Sequence, residues 1–188
     1  IDVQLAVPGV HNVRNALAAE ACAIAAGVER TAIAAGLAAF RPVAGRGMSL
    51  RTMGGARLID DSYNANPDSV RAAIDLLAGY SVPRLLVLGD MGEVGDNGPQ
   101  FHREIGAYAH ERGLEALLAV GMLTRESVAA FGTAGRHFDD IDALVADLRL
   151  RLEPQVTVLV KGSRFMRMER VVRALTEMPP QPAAAEPH

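Results

Sequence analysis

Asp60-Asp61-Ser62-Tyr63-Asn64-Ala65-Asn66-Pro67 follows the apolar pair Leu58-Ile59 and precedes the amphipathic stretch from Asp68 to Leu77, so acids, amides and one aromatic fall in a strand-to-helix turn. In open α/β sheets ligands sit in such turns, outside the carboxyl ends of the strands. Pro67 suits a first helical position, and Asn66 before it suits a cap that leaves backbone donors free at the helix start. A polar ligand fits this turn.

The same rhythm continues outward from it. Strands are expected at residues 48–53, 56–62, 84–89, 116–121 and 156–160, several of them solidly apolar, with helices near 67–78, 100–112, 124–131, 141–152 and 166–178. Alternating β and α with continuous apolar strands implies an α/β fold, a mostly parallel Rossmann-like sheet covered by helices on both faces. Residues 48–62, joined through Gly54-Gly55, look instead like an edge hairpin. Upstream, residues 10–40 have helical periodicity in two pieces broken near Gly27-Val28. Pro42, Gly45 and Gly47 end that pattern, which places a boundary near residues 41–47. A helical pair thus precedes that boundary and an α/β pattern follows it. The tail 179–188, with four prolines and three alanines, has nothing to bury and is expected to be disordered.

The chain has 188 residues, 49% hydrophobic, with a net charge of −3, enough for one ordinary domain and a piece of another. A fold of this size needs no disulfide or metal to hold it, and nucleic acid is a poor partner for an acidic chain. Cys22 lies in an Ala-rich helical run and reads as a small buried side chain. No apolar run approaches a membrane span and no signal peptide opens the chain, which reads as cytoplasmic. It begins without Met, in what looks like a strand at residues 3–7, as a piece of something longer would.

Lys161 is the one lysine against eighteen arginines. It closes the strand at 156–160 and opens Gly162-Ser163-Arg164, gathering an ammonium, a hydroxyl and a guanidinium around one point. That point is either an anion site or a lysine that caps the sheet end. Arg164, Arg167, Arg170 and Arg173 recur every three residues, but Glu169 among them makes the last three a solvated helix face.

Leu88-Gly89-Asp90-Met91-Gly92-Glu93-Val94-Gly95 also follows a strand, and its glycines allow close backbone approach. Their G-x-x-G-x-x-G spacing is not a dinucleotide fingerprint, so a plain turn and a site are both open, as are ligand-orienting and solvent-facing roles for Asp90 and Glu93. Histidines at 11, 102, 110, 137 and 188 show no chelating pair, and His102 and His110 read as surface positions. No metal ligand is assigned. There is no G-x-x-x-x-G-K-[ST] loop anywhere in the chain.

Taken together, Gly9-Val10-His11-Asn12-Val13-Arg14-Asn15-Ala16, Pro42-Val43-Ala44-Gly45-Arg46, Asp60 to Ser69, Leu88 to Gly95, His102-Arg103-Glu104-Ile105-Gly106 and Val160 to Arg164 resemble the Mur ligase family, in register up to about Leu175. The resemblance implies that residues 1–46 end a central ATP-binding domain and 47–178 form the family's carboxyl-terminal domain. It implies an ATP-dependent, amide-bond-forming ligase of peptidoglycan synthesis. The substrates would be ATP, UDP-N-acetylmuramoyl-tripeptide and D-alanyl-D-alanine, the parent enzyme a monomer, and Mg²⁺ the metal. The phosphate loop and magnesium ligands of the family would precede Ile1, leaving this chain inactive alone. By the same resemblance Asn12 and Asn15 would face adenine, Tyr63 its ring face, Asp61 the ribose and Arg46 the phosphates. Asn64, Asn66, Lys161, Ser163 and Arg164 would line the dipeptide site, with Arg46 and Lys161 as the catalytic cations. The rival expectation is a stand-alone flavodoxin-like module that binds a nucleotide or other ligand without catalysis.

Overall fold

The apolar runs Arg84–Gly89 (β3), Ala116–Val120 (β4) and Thr157–Lys161 (β6) are buried along nearly their whole length, which places them inside a sheet rather than at its edge. A computed structural model describes residues 2–177, and among these the sheet has six strands. With Met48–Arg51 (β1), Arg57–Asp61 (β2) and Gly135–Phe138 (β5), the strand order is β1-β2-β6-β3-β4-β5. β1 and β2 form the expected antiparallel hairpin, and every other pairing is parallel.

Alternation along each strand splits the core in two. Leu58, Val87, Leu118, Val158 and Val160 face Ile141–Arg149 (α6) and Glu169–Thr176 (α7). Ile59, Leu86, Leu88, Leu117 and Leu159 face Pro67–Ala78 (α3), Gly98–Glu111 (α4) and Phe131 of Thr124–Phe131 (α5). Each fully buried Leu or Ile contributes about 1.5–3 kcal/mol, so both faces of the sheet must be covered for these strands to persist. Val10–Ala25 (α1) and Arg30–Ala39 (α2) form the helical pair ahead of the sheet.

Register then decides which polar ends meet. In the β2–β6 pairing Asp61 stands beside Lys161, and in β3–β6 Leu88 stands beside Lys161. Both Asp61 and Lys161 follow a residue that faces α6 and α7, so both project to the α3 side.

Several expectations are corrected. Residues 3–7 form no strand; they have no pairing partner among the described residues, and β1 already occupies that end of the sheet. β5 is an addition to the expected strands, because Gly-Arg-His-Phe lacks an apolar run and owes its extension to pairing with β4. The last helix begins later than residue 166: Arg164–Met166 is a 3-10 turn, and Arg167, at φ 51°, breaks it from α7. Cys22 is exposed rather than buried, since α1 has no sheet beneath it and leaves Val10, Leu17 and Ile24 exposed as well. His102 is buried rather than superficial. The tail 179–188 lies outside the described residues. Among those residues no helix is long and apolar enough to cross a membrane.

Candidate functional site

A cleft of about 630 Å³ opens at the carboxyl end of β2 and β6, closed on its far side by the start of α1 and the segment after α2. Its walls carry Asn12, Asn15, Arg46, Asp61, Tyr63, Asn64, Asn66 and Lys161, drawn from both ends of the chain. Ligand sites of small molecules have volumes in this range.

The floor is the Asp61–Lys161 pair. The Lys161 ammonium, only 3% exposed, donates to Asp61 Oδ2 at 2.6 Å and to the Asn64 carbonyl at 3.0 Å. A buried cation without such partners would be costly, so the register that brings Asp61 alongside is what permits a lysine here. Asp61 is less buried than its partner and turns toward the cleft. Lys161 thus ends the sheet and lines the cleft, with its charge shared by Asp61.

Asp60 points to the opposite face and does different work. Its buried carboxylate accepts from Ser62 Oγ at 2.6 Å, from Ser62 N at 3.2 Å and from Gly45 N at 3.0 Å. Tyr63 N returns a bond to the Gly45 carbonyl at 3.0 Å. Gly45 has φ +78°, and a Cβ there would lie 3.1 Å from Tyr63, so glycine is needed where the two segments touch. This junction brings the Arg46 guanidinium 4.2 Å from the centre of the Tyr63 ring. Sequence reasoning missed Asp60, whose signal was the doubled acid at a strand end, one for each face of the sheet.

Asn66 caps α3 as expected, accepting from Ser69 N at 2.8 Å while Ser69 Oγ accepts from Asn66 N. Asn12 donates to the Pro8 carbonyl at 2.6 Å, holding the approach to α1, and Asn15 lies one turn along the same helix. Ser163 and Arg164 stand outside this lining. Ser163, nearly fully buried, accepts from Gly92 N and donates to the Ala65 carbonyl at 3.1 Å, so it ties loops together. Arg164 pairs with Glu169 at 3.0 Å, and its guanidinium lies 5.6 Å from the Tyr63 ring centre.

Asp90 is a structural acid. Its carboxylate accepts from the backbone nitrogens of Met122, Leu123 and Thr124 at 2.9–3.0 Å, filling the anion site at the start of α5. Glu93 is exposed, with φ 57°. Among the described residues no group of three or more His, Cys, Asp or Glu side chains is placed to hold a metal ion.

A mostly parallel sheet with helices on both faces and a polar cleft at the strands' carboxyl ends defines an α/β domain with a candidate ligand site at the usual place for such sheets. The family model "Mur ligase, glutamate ligase domain" matches residues 45–164. The chain belongs to the Mur ligase family. It is 43% identical over 179 residues to the UDP-N-acetylmuramoyl-tripeptide--D-alanyl-D-alanine ligase of Escherichia coli K12, covering 94% of this chain and 39% of that protein. A crystal structure of MurF from Acinetobacter baumannii matches with a TM-score of 0.84 and 35% identity, over 92% of this chain and 39% of that one. A MurF ligase from Thermotoga maritima in complex with ADP matches with a TM-score of 0.77 and 25% identity, over 92% of this chain and 40% of that one. The chain thus spans about two-fifths of the relatives it matches.

Proposed function

We propose that this chain is the carboxyl-terminal part of a ligase that joins D-alanyl-D-alanine to UDP-N-acetylmuramoyl-tripeptide at the expense of ATP, in cytoplasmic peptidoglycan precursor synthesis. The observation that carries the proposal is the meeting of Asn12, Arg46, Asp61, Tyr63 and Lys161 in one cleft. Those groups complement a nucleotide: amides for a base edge, an aromatic for its face, a carboxylate for ribose hydroxyls and a guanidinium for phosphate. The named relatives and the ADP complex of the Thermotoga maritima protein support the same reading.

In this scheme residues 1–46 finish the central ATP-binding domain, and 47–178 form the domain that closes on it. Asn12 and Asn15 face adenine, Tyr63 its ring, Asp61 the ribose and Arg46 the phosphates. Lys161, Asn64 and Asn66 border the dipeptide, with Ser163 and Arg164 supporting that wall. The tripeptide's terminal carboxylate takes the γ-phosphoryl group of ATP, giving ADP and an acyl phosphate. The dipeptide amine attacks the acyl carbon, a C–N bond replaces the C–O bond, the amine proton is lost, and phosphate leaves. The contribution of this part of the enzyme is orientation of the amine, which in well-aligned systems is worth about 7–11 kcal/mol. Magnesium, when bound, would offset phosphate charge.

Calorimetric titration tests the cleft. The chain is expected to bind ATP, and Arg46→Ala to weaken that binding by at least about tenfold, the loss of one charge-assisted contact. Given ATP, the UDP-muramoyl tripeptide and the dipeptide together, the chain is expected to release no phosphate. Release above background would show that this part alone carries the chemistry. Absence of any nucleotide binding, with the fold intact, would remove the nucleotide reading.

A further inference from the structure

His102 has no part in the chemistry described so far, yet its imidazole is fully buried on α4 and both ring nitrogens are engaged. Nδ1 lies 2.7 Å from the Gly98 carbonyl, which can only accept, so Nδ1 carries the proton. Nε2 lies 2.9 Å from the backbone nitrogen of Met91, an N–H donor, so Nε2 offers its lone pair. These two neighbours specify a neutral ring in one tautomer. The Asp90 carboxylate, 3.9 Å from Nε2, already receives three amides from the start of α5.

From Met91 the bonds run on toward the cleft. Gly92 N donates to Ser163 Oγ, and Ser163 Oγ donates to the carbonyl of Ala65, which lies in the cleft wall between Tyr63 and Asn66. Ser163 N is held in turn by the Asp90 carbonyl at 3.0 Å. Side chains pack closely on the loop: a Cβ on Gly92 would come within 2.9 Å of the Phe165 ring, and one on Gly89 within 2.9 Å of Met168 Sδ.

We propose that His102 is a positioning residue of the cleft: by accepting from Met91 N it sets the Gly89–Gly95 loop so that Gly92 and Ser163 hold the Tyr63–Asn66 wall in place. A buried hydrogen-bonded chain of this kind couples its members more strongly than its single bonds suggest. The effect on ligand affinity rests on the nucleotide reading given above; the effect on the loops does not.

Nitrogen-15 NMR on the whole chain tests the relay. Long-range proton–nitrogen spectra are expected to show His102 protonated at Nδ1 and bare at Nε2; an Nε2–H tautomer or an imidazolium near neutral pH overturns the proposal. His102→Phe keeps a ring without an acceptor, whereas His102→Gln keeps one acceptor and one donor. The Phe variant is expected to shift the amide signals of Gly92, Ser163 and Ala65 and to weaken ATP binding about tenfold. The Gln variant is expected to restore both. Unmoved Gly92 and Ala65 amides in a folded Phe variant, or a Gln variant that behaves like it, overturn the relay. Should the Phe variant fail to fold, Ser163→Ala cuts the same chain further along and is expected to move the Ala65 amide and the ATP affinity. If the unaltered chain binds no ATP, the nucleotide reading falls while the amide shifts still decide the relay.

Discussion

Asp60 and Asp61 are adjacent in sequence and serve opposite faces of the sheet, one anchoring Gly45 and the other neutralising Lys161. Their unequal burial makes an ordered prediction. Asp61→Asn leaves a buried ammonium without its counter-charge, and breaking such a pair costs about 3–5 kcal/mol. Because Asp61 itself is a quarter exposed, the lower end of that range is expected. Lys161→Met removes the costly charge instead and is expected to lose less. Urea unfolding of the two variants checks the order, and equal losses would mean that the pair is already well solvated. At this scale the polar turn at residues 60–67 and Lys161 stand out by their own chemistry, whereas Asn12, Asn15 and Arg46 are singled out only by the family resemblance; all line one cleft. His102 is not legible. A histidine among helix polar residues reads as surface, and its partners are the backbone groups of Met91 and Gly98, which leave no mark in a sequence.

α4 and α5 approach more closely than ordinary side chains allow. A Cβ on Gly106 would lie 2.0 Å from the Ser127 carbonyl oxygen, and Ser127 Oγ donates to the His102 carbonyl at 2.7 Å just beside it. Gly106→Ala must push the two helices apart. Overpacking commonly costs about 1–3 kcal/mol, and here the obstacle is backbone, so the upper end or beyond is expected as a lowered melting temperature. An unchanged melting temperature would mean that the helices separate freely. Elements with a strong local signal are legible from their residues alone: the apolar runs of β3, β4 and β6, and the cap of α3 at Asn66. β5 and residues 3–7 are not. Whether a short extended segment becomes a strand depends on a neighbour offering an open edge, which β4 does for residues 135–138.

Across the whole molecule, the end of the sheet away from the cleft is pinned by Arg84, which bonds Glu115 along with the carbonyls of Ala78 and Gly113. Partial burial pushes the Glu115 carboxyl up, but the hydrogen bonds and charge of Arg84 outweigh it and hold the group below its ordinary value of 4.5. The native state therefore binds this proton less tightly than the unfolded chain does. Its stabilising effect is complete above pH 4.5 and is lost as pH falls through the lower native value. Urea midpoints followed from about pH 6 to about pH 3 are expected to fall less steeply in Glu115→Gln than in the unaltered protein. Identical slopes would show that the pair contributes nothing.

Among the described residues β6 is the last strand in sequence, yet it lies between β2 and β3 in the sheet. During synthesis, therefore, the two halves of the sheet emerge with a vacant slot between them, each presenting an unpaired edge that invites association with other chains. Only when residues 157–161 leave the ribosome can the slot fill, and the same event delivers Lys161 to Asp61. Completion of the sheet and assembly of the cleft are thus one step, taken only after the five other described strands have been made.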